Sequence, residues 1–212
     1  MSFDRLAPFY QTMEWIAAGG KLQCCRTAFL DEVPVPRRIL LAGEGHGRSL
    51  PLFVEKFPEA EIVVVDFSEK MLEIARSKAD SERVTFLHAD LLEWEGAQGE
   101  FDLIITNFFL DCFIKEDLAK VVSKLGKLAA PRADWLLADF DIPPTPLAGL
   151  RSRLIVGMLY KFFRVACGLR TRELVPPDGE ITKAGFSRMK RETYEWGLLK
   201  SEWWARQESS RG

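Results

Sequence analysis

Short, almost wholly apolar runs recur along the chain, separated by segments of helical periodicity. Ile39-Leu40-Leu41-Ala42, Ile62-Val63-Val64-Val65-Asp66, Val84-Thr85-Phe86-Leu87, and residues 101–106 and 135–138 are five such runs. Each is rich in β-branched or aliphatic residues and predicts a strand. Between them, residues 49–57, a segment that Ser68 can cap and that continues through Met71, Leu72 and Ala75, and residues 118–128 carry apolar positions at helical spacing. Strands that are apolar throughout and alternate with helices predict a parallel sheet covered on both faces, an open α/β fold with right-handed crossovers. Residues 191–196 and 198–204 are separated by little more than Gly197, which suits an antiparallel hairpin. Ahead of the first strand, residues 3–33 read as helical, interrupted at Gly19-Gly20 and stopped by Pro34 and Pro36. The expected organisation is a helical cap over 1–36 and one compact domain over 37–212, with a helical lid inserted at about 145–180.

Composition narrows the function classes. The chain has 212 residues, 47% of them hydrophobic and 28% charged, as in an ordered globular protein. Lys and Arg number 29 against 31 Asp and Glu, a net charge of −2, which argues against a chain-wide polybasic nucleic-acid binder. Cys24, Cys25, Cys112 and Cys167 form neither a disulfide framework nor a zinc spacing, and His46 and His88 are too few for a histidine-rich metal site. No metal is expected. The polar N-terminus lacks signal-peptide order, and no uncharged run reaches the ~18 residues of a membrane span. A cytoplasmic protein is the expectation.

The most informative segment is Ala42-Gly43-Glu44-Gly45-His46-Gly47-Arg48, a GxGxG turn at the carboxyl end of the first strand. Ligands of such sheets bind outside the strand carboxyl ends, at the switch point of strand order. A dinucleotide fingerprint would place glycine where Arg48 stands, and the phosphate loop GxxxxGK[ST] is absent. Asp66 ends the second strand about 20 residues beyond the turn, where an acid can accept both hydroxyls of a ribose. Phe67 could pack on an adenine face. Asp90, in His88-Ala89-Asp90-Leu91, ends the third strand and can reach the adenine edge.

Together these residues resemble a class I S-adenosylmethionine-dependent methyltransferase of the small-molecule type, similar to those of quinone biosynthesis. Gly43-Glu44-Gly45-His46-Gly47 resembles the family's first motif, Asp66 its ribose-binding acid, and Asp90-Leu91 its adenine-binding pair. Phe101-Asp102-Leu103-Ile104-Ile105 followed by Thr106-Asn107 resembles its fourth-strand motif. The resemblance implies a Rossmann-like seven-stranded sheet in the order 3-2-1-4-5-7-6, with strand 7 antiparallel and helices on both faces. It also implies S-adenosylmethionine as cofactor, with Asn107 and Phe108 near it. The opening Phe3-Asp4-Arg5-Leu6-Ala7-Pro8-Phe9-Tyr10 resembles the segment that covers the cofactor in such enzymes, which places Tyr10 beside it. One position departs from the family: Leu41 stands where an acid usually precedes the first glycine, and Glu44, inside the loop, is the candidate to hold the methionine ammonium.

A sulfonium methyl is already activated, so alignment with a nucleophile at ~3–3.5 Å and exclusion of water carry most of the catalysis. A base is needed only where the acceptor must lose a proton. The segment Asn107-Phe108-Phe109-Leu110-Asp111-Cys112-Phe113 should face the methyl group, with Asp111 as the candidate catalytic base and Asp139 and Asp141 as weaker ones. Asn-Pro-Pro-Tyr, the signature of amino-methylating enzymes at this place, is missing. Residues 147–172 carry six cations and no acid. There Leu154, Ile155, Met158, Leu159, Phe162, Phe163 and Val165 share a broad apolar arc, with Arg153, Lys161 and Arg164 clustered opposite. This helix is expected to lid a small, lipophilic acceptor, an anionic one included; it also permits interfacial membrane contact or a dimer face. The partners expected are therefore a small-molecule acceptor and no nucleic acid, with peripheral membrane contact open through 147–172 and a monomer or homodimer as the assembly. The rival readings are a non-catalytic cofactor-binding protein with this fold, a nucleic-acid methyltransferase, and a nucleotide-dependent oxidoreductase, which Arg48 counts against.

Overall fold

The computed structural model describes residues 20–79 and 81–207. Seven strands form one sheet: β1 (Arg38–Ala42), β2 (Glu61–Asp66), β3 (Val84–His88), β4 (Phe101–Asn107), β5 (Ala129–Phe140), β6 (Ser187–Tyr194) and β7 (Leu199–Arg206). Their spatial order is β3-β2-β1-β4-β5-β7-β6. Strand β7 runs antiparallel to both neighbours, and all other pairings are parallel. The helices are α1 (Lys21–Thr27), α2 (Leu50–Lys56), α3 (Glu69–Arg76), α4 (Lys115–Leu128), α5 (Pro146–Cys167) and α6 (Asp178–Lys183). The expected sheet order and the antiparallel last strand are both present.

Two cores sit on opposite faces of the sheet. Ile39, Leu41, Ile62, Val64, Leu103 and Ile105 pack with Leu50, Phe53, Leu72 and Ala75 of α2 and α3. Leu40, Ala42, Val63, Val65 and Ile104 pack with Leu118, Val121, Val122 and Leu125 of α4. Successive residues of one strand therefore serve both cores, which is why these strands read as continuous apolar runs. The outer strand β6 is instead exposed and carries Arg188, Lys190 and Arg191, charges that discourage edge-to-edge association.

Two elements exceed their expected lengths. Strand β5 extends over 12 residues rather than 135–138, and β6 begins four positions before Arg191. The added residues, such as Pro131, Arg132 and Asp134, carry weak strand signals. Long-range pairing supplies what propensity lacks: Ala133 pairs with Arg206 and Asp134 with Ala205 of β7.

The β6–β7 hairpin encloses a buried charge cluster. Glu202 is fully buried; its Oε1 accepts from Arg188 and Arg191, each at 3.1 Å, and its Oε2 from Trp204 Nε1 at 3.0 Å. Lys200 lies 3.5 Å from Oε2. Removing one member of such a cluster leaves desolvated charge without compensation. Glu202→Ala is expected to cost ~3–5 kcal/mol in urea unfolding, and a loss below ~1 kcal/mol would show that these cations are solvated without it.

A third cluster joins α1 and α5 to the end of the sheet. Leu22 and Cys25 of α1, Val156 and Tyr160 of α5, and Ala138, Leu198 and Leu199 pack together, with Phe108, Cys112 and Phe163 against them. No helix among the described residues is long and apolar enough to cross a membrane.

Candidate active site

Strand β1 lies at the switch point, between β2 on one side and β4 on the other. Its exit turns on Gly43, Gly45 and Gly47, with φ of 69°, 61° and 68°, a region that residues with a Cβ rarely adopt. Two of these glycines meet different surroundings. A side chain at Gly43 would overlap the Phe109 ring, whereas one at Gly45 would meet nothing within 4 Å. The chain is thus sealed against the β4 exit at Gly43 and cleared at Gly45, which lines an open cavity.

Asp66 closes the other side of the turn. Its Oδ2 accepts from the Gly45 N–H at 3.0 Å and its Oδ1 from the Ser68 N–H at 2.9 Å. Burial pushes its pKa up, opposed by the N–H groups of Ser68 and Gly45. A carboxylate offers about four lone-pair sites, more than the backbone N–H groups of Gly45, Ser68 and Phe67 take up, so acceptor capacity remains for a ligand. Ser68 caps α3, its side chain accepting from the Met71 N–H at 3.3 Å.

The β4 exit is held from several elements. Phe108 has φ of 52°, unusual for a residue with a side chain. Its ring meets Phe140 edge-on at 5.4 Å, and the Arg26 guanidinium of α1 lies 5.1 Å from the ring centre. Phe109 packs edge-on against Phe113 at 5.0 Å. Asn107, at the last position of β4, is buried, and neither its Oδ1 nor its Nδ2 has a hydrogen-bond partner among the described residues. An orphaned buried amide costs ~1–3 kcal/mol, which a bound polar group could offset.

Behind Cys112 lies a buried pair of carboxyls. The Asp111 N–H donates to Asp139 Oδ2 at 3.1 Å, and the Phe140 N–H donates to Asp139 Oδ1 at 2.8 Å. The Tyr160 hydroxyl of α5 donates to the Asp111 carbonyl at 3.1 Å, tying that helix to the turn. Burial pushes Asp111 up to about 6, while hydrogen bonds from Cys112 and Asp139 hold it down. Asp139 lies well above the ordinary aspartate value, through burial and then repulsion from Asp111, with Lys200 opposing. Two buried carboxyls this close cannot both ionise readily, so the pair holds on to a proton beyond the ordinary carboxylate range.

The cavity measures about 190 Å³. Of the residues predicted from sequence, Gly43, Gly45, Asp66, Phe67, Asp90, Leu91 and Phe108 line it. Asp90 Oδ1 also accepts from the Leu92 N–H, closing the turn after β3. Glu44, His46, Gly47, Asn107 and Asp111 stand behind the lining. Glu44 Oε1 accepts the Ser49 N–H at 2.7 Å, at the start of α2. The His46 carbonyl accepts from Lys78 at 2.6 Å, and Gly47 abuts Ala75 of α3. Tyr10 lies outside the described residues. Val65, Met71 and Ala89 complete the lining without having been singled out, as do Phe109, Cys112 and Phe113 of the loop expected to face the methyl. Met71 had a usable signal: it sits in the first turn of the helix that follows Asp66.

Comparison with known proteins follows this geometry. Residues 39–132 match the family model described as a methyltransferase domain. The demethylmenaquinone methyltransferase of Thermus thermophilus is 33% identical over 156 residues, covering 72% of this chain and 70% of that protein. The chain belongs to the class I S-adenosylmethionine-dependent methyltransferases. A second relative, the ubiquinone/menaquinone biosynthesis C-methyltransferase of Dinoroseobacter shibae, is 31% identical and covers 84% of this chain and 67% of its own length. The fold matches that of the Burkholderia thailandensis 1,6-didemethyltoxoflavin-N1-methyltransferase with a TM-score of 0.61 at 18% identity, over 88% of this chain and 77% of that one. As a methyltransferase of this class the chain uses S-adenosylmethionine, and its residues fit that cofactor. The space cleared at Gly45, the acceptor sites left on Asp66 and the exposed ring of Phe67 suit an adenosyl group.

Proposed function

We propose that this methyltransferase acts on a small, lipophilic, quinone-like acceptor held against Phe108, Phe109 and Phe113. The observation that carries this reading is the lining itself. Four phenylalanines, Met71, Val65 and Leu91 face the cavity, and the only carboxylates among the described lining residues, Asp66 and Asp90, lie together at the ends of β2 and β3. An acceptor beyond the adenosyl group thus meets apolar surface, which favours a flat, weakly polar molecule over a small carboxylic acid. The names of the quinone-biosynthesis relatives support the same class.

Each residue has an assigned task in this reading. Asp66 accepts the ribose hydroxyls, Phe67 covers the adenine face, and Asp90 with Leu91 meets its edge. The N–H groups of the Gly43–Gly47 turn and the amide of Asn107 meet the remaining polar atoms, His46 contributing backbone alone. Glu44 opposes the methionine ammonium through its buried negative charge, in place of the acid missing at Leu41. When bound, the cofactor supplies a methyl group on a sulfonium. Phe108 and Phe109 hold the acceptor in line and exclude water. Asp111, as the carboxylate, takes the proton where the acceptor must lose one and becomes a neutral carboxylic acid, its backbone N–H held meanwhile by Asp139.

The deciding experiment is turnover of S-adenosylmethionine with a short-tailed demethylmenaquinol, beside a small dicarboxylic acid as control. Methylation of the quinol alone is expected. Methylation of the acid alone would overturn the proposal.

A further inference from the structure

Helix α5 is apolar on two opposite sides. Inward, Ser152, Val156, Tyr160 and Cys167 are buried against the sheet end. Outward, Leu147, Leu150, Leu154, Met158, Phe162 and Val165 are exposed by 45–85%. At 100° per residue these six fall in one stripe diametrically opposite the buried side. The helix has 22 residues and is about 33 Å long. A stripe of this extent exceeds the scattered apolar exposure normal to a soluble surface.

Two further features lie beside it. Arg153, Lys161, Arg164 and Arg172 have no acidic partner among the described residues, although most cations of the β6–β7 hairpin are paired. Next to the helix, Glu195 and Trp196 both occupy the left-handed region, with φ of 52° and 60°. This turn holds Trp196 78% exposed, and the Arg151 guanidinium stacks over its ring at 5.6 Å. Left-handed backbone is strained for a residue with a Cβ, and here that strain keeps a tryptophan in water.

We propose that the outward face of α5, extended by Trp196, docks on the surface of an anionic lipid bilayer. An amphipathic helix lying in the interface buries one apolar stripe and keeps cations beside the headgroups, and tryptophan favours that same depth. A second copy of the chain fits less well, because a two-fold contact through this face would set its unpaired cations against one another. The inner side of α5 packs on Phe108 and Cys112, both of which line the cavity. The docked helix would thus stand between bilayer and cavity, where a lipophilic acceptor arrives. That last consequence rests on the acceptor proposed above; the docking does not.

The test is flotation of the full chain with phosphatidylcholine vesicles, with and without phosphatidylglycerol, at near-physiological salt and without acceptor. The chain is expected to float with the anionic vesicles and not with the neutral ones. Leu154→Glu with Met158→Glu should abolish flotation. Lys161→Ala with Arg164→Ala should weaken it by about thirtyfold, the worth of two cations near an anionic surface. S-adenosylhomocysteine binding, read by calorimetry, should be unchanged in both double variants, which shows that they fold. Failure of the unaltered chain to float, or flotation indifferent to both variants, would overturn the proposal. So would a dimer, seen by light scattering, that the glutamates disperse while no vesicle binds. Acceptor turnover is read separately, so either proposal can fail alone.

Discussion

Asp111→Asn is expected to lower the rate of methyl transfer by ~10²–10⁴-fold, the usual worth of a positioned base, while cofactor affinity stays within about twofold. Asparagine preserves the shape of the side chain and the backbone bonds to Asp139 and Tyr160, so the variant tests charge and basicity rather than packing. The pH profile supplies the second readout. Burial lifts Asp111 from 3.8 to about 6. Activity of the unaltered enzyme should therefore rise as pH passes through that value, and the variant should lack this limb. Stability should move the opposite way. A carboxyl raised in the folded state binds its proton more tightly folded than unfolded, so its favourable contribution is complete below 3.8 and fades as pH rises toward 6. Asp139, raised further by the same burial, extends that fade to higher pH. Asp111→Asn removes part of it, so thermal unfolding should show the variant gaining on the parent between acid and neutral pH. A variant with full activity and an unchanged limb would show that Asp111 only shapes the turn.

Asp66→Ala is expected to weaken S-adenosylhomocysteine binding by at least a hundredfold in calorimetry, corresponding to ~3 kcal/mol or more. The argument has two parts. The carboxylate fixes the cavity wall by accepting from Gly45 and Ser68, and its remaining acceptor capacity suits the ribose hydroxyls. Hydrogen bonds to a charged group contribute ~1.5–3 kcal/mol each. Asp66→Asn should fare little better, because its amide nitrogen would face a backbone N–H. Ser68→Ala removes the α3 cap while keeping the N–H that Asp66 accepts. It is expected to lower thermal stability by ~1 kcal/mol and barely alter affinity. Should Asp66→Ala bind as tightly as the parent, the adenosyl group lies elsewhere.

Much of this site was legible before any coordinates. The turn at Gly43, Gly45 and Gly47, the acids Asp66 and Asp90 at strand ends, and Phe108 after the fourth strand were all identifiable from spacing and resemblance, and all but Gly47 line the cavity. Glu44 was harder to place. A carboxylate inside a glycine loop has the right charge for an ammonium, yet nothing local reveals that its Oε1 turns back to the Ser49 N–H. Asp139 was legible only as a weaker alternative to Asp111. It is 28 residues away in sequence, and only the packing of β5 beside the β4 exit makes the two one titrating unit.

Local chemistry alone determined the order of strands and helices, the left-handed glycines and the carboxylates at the strand ends. Period, chirality and turn geometry act over a few residues and leave few choices. What the folded chain decided was direction. Phe162 and Phe163 share one apolar arc in the sequence, but they point 100° apart, and only docking on the sheet end settles that Phe163 joins the core while Phe162 faces out. Which side of a helix is inside depends on contacts made with residues far along the chain, and periodicity holds no record of them.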